Sequence, residues 1–156
     1  MKRIVLAFVI SVLMPISLFS QTPVGPRDAK APMSGRMLID PSATTVSLGK
    51  ATLSVDPLTR KGELYVGSYQ LKVMPYFFMS ETGALELEVS EVTMQKILNG
   101  EPAAFTGKAS NNKHGKPKVI AGEIRPSTKT QGNVTFSVET DNGLMTFDTT
   151  YHIGGS

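Results

Sequence analysis

The stretch Asn133-Val134-Thr135-Phe136-Ser137-Val138-Glu139-Thr140-Asp141-Asn142-Gly143-Leu144-Met145-Thr146-Phe147 decides how the chain is to be read. Val134, Phe136 and Val138 alternate with Thr135, Ser137 and Glu139, the period of two that marks a strand with one dry face. Asn142-Gly143 offers the residue types of a type I′ turn, so the spacing predicts a hairpin. A two-residue Asn142-Gly143 loop would pair Val138 with Phe147, Phe136 with Thr149 and Val134 with Tyr151. The apolar partners then share one face, whereas a slip of one residue would set Phe136 opposite the polar face.

Working outward, Leu85, Leu87 and Val89 alternate with Glu86 and Glu88, a second half-buried strand. A helix follows at 91–99. Ser90 suits the N-cap, Glu91 the first turn, Met94, Ile97 and Leu98 fall on one face, and Asn99-Gly100 ends it. That helix is expected to close an end or edge of the sheet. Further strands are read near 37–40, 44–48, 51–56, 62–73, 76–79, 104–110 and 117–124. In 62–73 the apolar parity shifts from Leu64 and Val66 to Tyr69, Leu71 and Val73, which predicts a bulge at Gly67-Ser68. Short strands, frequent turns and little helix predict a mainly β fold, an antiparallel sandwich or small barrel with one short helix.

Residues 1–20 read as a signal peptide. Lys2 and Arg3 form its basic start, Ile4 to Leu13 its apolar run and Pro15 to Ser20 its end. The run falls short of the roughly 18 apolar residues a membrane span needs, so cleavage after Ser20 is expected, with no stable membrane insertion afterwards. The destination is then periplasmic or secreted. Residues 21–36, with Pro23, Pro26, Pro32, Gly25 and Gly35, read as a flexible Pro/Gly-rich tether, and 37–156 as a single β-rich domain. The chain has no cysteine, which excludes disulfides, thiolate metal sites and a lipidated N-terminal cysteine.

The leader holds two of the 16 basic residues and none of the 13 acidic ones, so the remainder carries 14 minus 13, or +1. That balance gives no argument for nucleic acid as a partner. Charge is nevertheless uneven. Lys108, Lys113, Lys116 and Lys118 gather around a hairpin, a candidate surface for an anionic envelope component, while Glu81 to Glu101 holds five glutamates against Lys96.

Catalytic signatures are missing: neither G-x-S-x-G nor S-x-x-K occurs, His114 and His152 have no metal-ligand spacing, and no phosphate loop or EF-hand is present. No catalytic residue, metal ligand or cofactor is assigned. The densest apolar cluster, Met74-Pro75-Tyr76-Phe77-Phe78-Met79, cannot point all its rings one way along a strand. Tyr76, Phe77 and Phe78, with the inward Phe136, Phe147 and Tyr151, are therefore candidates to line a pocket for an apolar small molecule.

In size, export and strand count the chain is similar to the exported isoprenoid-binding barrels of the YceI type and to lipocalins, a likeness that implies a carrier of an apolar or lipid-like ligand. The residues themselves favour an exported noncatalytic β-domain, a binding or structural module, with the carrier as the alternative. A weaker third reading is a hydrolase whose carboxylates are assembled by the fold, for which Glu86, Glu88, Asp148 and His152 are the residues to scan.

Overall fold

The computed structural model describes residues 35–46, 49–113, 115–140 and 143–155. The expected signal peptide over 1–20, most of the expected tether over 21–36, and His114, Asp141 and Asn142 lie outside them. The ten strands are β1 (Gly35–Ile39), β2 (Ser42–Val46), β3 (Gly49–Val55), β4 (Leu58–Lys61), β5 (Leu64–Met74), β6 (Glu81–Glu88), β7 (Ala103–Asn111), β8 (Lys118–Pro126), β9 (Gln131–Thr140) and β10 (Gly143–Gly155). All pairings are antiparallel. Eight of the strands, in the order β5-β4-β1-β10-β9-β8-β7-β6, close into a barrel when β6 pairs with β5, and β2 and β3 extend it beside the second half of β5.

Alternation along each strand builds the core. Tyr65, Leu85, Leu87, Phe105, Ile120, Ile124, Val134, Phe136, Phe147 and Tyr151 all turn inward and are buried. The last hairpin keeps the faces that the pattern predicts but not the register. Phe147 faces Phe136, Met145 faces Val138 and Gly143 faces Thr140, two residues away from the expected pairing. Gly143 is paired with Thr140 as the first residue of β10, while Asp141 and Asn142 of the expected turn lie outside the described residues. A shift of two preserves every side chain's face, which is why alternation alone could not detect it.

The predicted bulge is also displaced. Tyr65, Tyr69, Leu71 and Val73 are buried in one unbroken odd-numbered series, so β5 does not change parity. The extra residue lies on the strand opposite. Val55 pairs with Tyr69 and Thr59 with Val66, leaving the 56–58 segment one residue longer than its partner. Gly67 fits this place because Leu58 crosses it: a Cβ there would stand 2.7 Å from Leu58 Cδ2.

Asp40-Pro41 and Asp56-Pro57 lie on the two facing sides of the first hairpin and form a corner in it. One register runs through both halves, with Arg36 facing Thr59, Ser42 facing Leu53 and Val46 facing Gly49. The inward set nevertheless changes, from Met37 and Ile39 in β1 to Ser42, Thr44 and Val46 in β2, and from Ala51, Leu53 and Val55 in β3 to Leu58 and Arg60 in β4. β10 keeps its odd-numbered inward set throughout. β2 therefore cannot continue the β1 pairing to β10 without putting the wrong faces together. Among the described residues that pairing ends with Asp40 N–H bonding Thr150 O and the Ser42 hydroxyl bonding Asp148 O. Past that point the seam parts.

The helix α1 (Glu91–Leu98) matches its reading. Ser90 Oγ accepts from Thr93 N–H, and Met94 and Ile97 are buried in the barrel core beside β7 and β8. Residues 76–79 are not a strand. After the cis Met74-Pro75 peptide they form one 3-10 turn, Phe77–Met79, that crosses from β5 to β6. β1 begins at Gly35, two residues before the β-rich domain is expected to start at 37.

Candidate functional site

The β2–β3, β5–β6, β7–β8 and β9–β10 connections lie at one end of the barrel, and α1 lies at the other. At the first end, where β2 leaves β10, a cleft of about 540 Å³ opens. Thr44 and Val46 form one side of it and Met145 and Thr146 the other, with Leu71, Val73, Phe78 and Met79 on its walls. Beneath it an apolar void of about 30 Å³ lies among Leu53, Leu85, Ile120, Phe136 and Phe147. That void has room for about one water and no organic ligand.

Between void and cleft sits a polar cluster centred on Glu81. Its Oε1 accepts from Lys118 Nζ at 2.7 Å and from the Tyr69 hydroxyl at 3.0 Å, and its Oε2 accepts from Asn111 Nδ2 at 2.9 Å. The Glu81 side chain is 11% exposed and that of Lys118 32%. A carboxylate so far from water is tolerable because three donors, one of them the paired Lys118 ammonium, replace its hydration. Burial, with the Glu81 carboxylate beside it, pushes the Tyr69 phenol well above its ordinary range. Tyr69 therefore stays a donor across the whole neutral range. Asn111 Oδ1 in turn accepts from Lys113 N–H at 2.8 Å, which fixes the start of the β7–β8 loop.

This cluster had a signal in the sequence. Glu81 has the parity of Leu85 and Leu87, Lys118 that of Ile120 and Ile124, and Tyr69 that of Leu71 and Val73, so all three polar groups continue inward faces. Reading Glu81 with the acidic stretch and Lys118 with the basic hairpin hid that position.

The six candidate ligand residues do not line one cavity. Phe136 and Phe147 border the small void, and Tyr151 is packed into the core. Tyr76 is half-buried against the core and meets Phe78 edge-on, with ring centroids 5.8 Å apart. Phe78 reaches the cleft while Phe77 stands outside it. The four lysines are likewise divided. Lys118 points into the barrel, Lys108 lies on the outer wall opposite Glu86, and Lys113 and Lys116 occupy the exposed loop.

Glu86, Glu88, Asp148 and His152 are exposed on the outer wall. Asp148 accepts from the Thr135 hydroxyl at 2.7 Å, and His152 Nε2 lies 3.6 Å from Asp40 Oδ2. They share no recess. Among the described residues no three His, Asp or Glu side chains gather as metal ligands.

Comparison with known proteins gives no match to a family model, a curated protein or a solved structure.

Proposed function

We propose that this chain is an exported, noncatalytic binding barrel that holds one small amphipathic molecule at its open end. The observation that carries the reading is the change of lining across the cleft. Leu71, Val73 and Met145 give it apolar walls, and Lys118, Asn111 and Glu81 give it a polar floor already held in place by its own hydrogen bonds. Apolar surface withdrawn from water contributes about 25 cal/mol per Å². A polar head would meet the Lys118 N–H bonds that Glu81 does not use. The cleft falls within the roughly 300–1,000 Å³ usual for small-molecule sites, which favours a carrier over a purely structural module. The 30 Å³ interior argues for binding in the mouth, above the polar cluster.

The basic and apolar leader of residues 1–20 supports export to the periplasm or exterior with cleavage after Ser20. The outward placement of Glu86, Glu88, Asp148 and His152 supports a noncatalytic role.

Native mass spectrometry of the purified protein, followed by organic extraction, tests the reading. A single copurifying amphiphile is expected, with its occupancy sharply reduced in Thr44→Trp, which fills the cleft from a half-buried position on β2. An empty protein that takes up no member of a panel of single-chain amphiphiles would overturn it.

A further inference from the structure

The end of the barrel that carries the cleft also carries exposed apolar side chains, of which Phe78 reaches the cleft and Phe77 and Met74 stand outside it. Phe77 is 68% exposed and Phe78 82%, adjacent at the apex of the β5–β6 turn, and Met74 beside them is also exposed. Exposed aromatic groups of this size at a tip mark an interaction site. Their surroundings are cationic. Phe77 and Met74 share a shallow surface hollow with the exposed Lys72 and Lys113, and Lys113 also borders the cleft that Phe78 enters. Lys50, paired with Met74, and Lys116 extend the same rim. Among the described residues of this end the exposed carboxylate is Glu139, on the β9–β10 side, because Glu81 is already paired with Lys118.

We infer that this rim docks the barrel on an anionic lipid bilayer, with Phe77 and Phe78 entering the interface and Lys72 and Lys113 meeting the lipid phosphates. The combination of apolar tip and ring of lysines fits a membrane surface in both respects. Aromatic side chains settle at the boundary of headgroup and acyl chain, and ammonium groups are drawn to the negative surface potential. An apolar protein partner would account for the rings but not for the lysines around them. Docked this way, the cleft faces the bilayer. The inference does not require that the cleft be filled, so it stands or falls apart from the binding reading.

Vesicle flotation with phosphatidylcholine alone and with phosphatidylcholine mixed with phosphatidylglycerol tests it. Each variant is compared with a parent of identical N-terminus, so that any contribution of the leader is common to both. The parent is expected to float with the anionic vesicles, and increasingly less as salt rises. Phe77→Ser/Phe78→Ser and Lys72→Glu/Lys113→Glu are each expected to weaken partitioning by about tenfold or more with unchanged circular dichroism, since each lysine near such a surface contributes comparably. Equal partitioning of parent and variants, or equal partitioning onto the two vesicle types, would overturn the proposal. So would a parent that ignores vesicles but self-associates through Phe77 and Phe78.

Discussion

At Gly122 a missing side chain does structural work. The Phe105 ring lies over it and meets Phe136 edge-on with centroids 5.5 Å apart, and a Cβ at 122 would stand 2.2 Å from Phe105 Cζ and 2.6 Å from Thr135 O. Because one of those neighbours is backbone, the strain cannot be relieved by a rotamer change alone. Gly122→Ala is expected to cost about 2 kcal/mol or more, read from the urea midpoint. Tyr151 presents the opposite case. Its hydroxyl is buried and meets no hydrogen-bonding partner among the described residues. An unmet buried hydroxyl costs on the order of 1–3 kcal/mol, so Tyr151→Phe is expected to leave stability unchanged or raise it by about 1 kcal/mol. A loss of that size instead would show that the hydroxyl is bonded. The inward positions of Phe136 and Tyr151 were legible from alternation. The company they keep was not, because period two assigns a face and leaves the neighbour across the sheet open.

Among the elements, α1 was the most legible, since its cap, its apolar spacing and its end all lie within ten residues of one another. Ser90→Ala, which removes the acceptor for Thr93 N–H, is expected to lower stability by about 1 kcal/mol in thermal melts. The first hairpin shows where local reading stops. Asp-Pro resembles a turn wherever it occurs, but here two copies on facing strands bend one continuous hairpin, and their role depends on a register set far away. Leu58–Lys61 was not anticipated as a strand for the same reason. The residue count at Pro57 matters more than its identity. Pro57→Ala keeps the count at an exposed site and is expected to change stability by less than about 1 kcal/mol. Deleting Pro57 removes the extra residue, turns Leu58 away from the core and is expected to cost about 3 kcal/mol or more. Equal stabilities of the two variants would refute the placement of the bulge.

For the whole molecule, alternation and turns identified a β protein, but the choice between sandwich and barrel rested on β1 finding β10 across nearly the full chain, a pairing no local pattern contains. Closure at that seam and at β5–β6 encloses three of the four tyrosines, Tyr65, Tyr69 and Tyr151. Burial raises the phenol pKa of all three above the ordinary value of 10. At Tyr65 the nearby Arg60 partly opposes the shift, and at Tyr69 Glu81 adds to it. A raised folded-state pKa means that the barrel holds these protons more tightly than the unfolded chain does. The stability this contributes is fully present below the unfolded value of about 10 and is lost as pH climbs through the folded values. The urea midpoint is therefore expected to hold level up to about pH 10 and fall steeply beyond it. In a Tyr76→Phe background, which leaves only the three enclosed phenols, phenolate absorbance should rise together with the loss of far-ultraviolet circular dichroism in one cooperative step. Tyr151→Phe should make the alkaline fall shallower, since one of the three withheld protons is gone. Gradual ionisation near the ordinary value with the dichroism intact would mean that water reaches these phenols in the folded barrel, and the closed wall described above would have to be open.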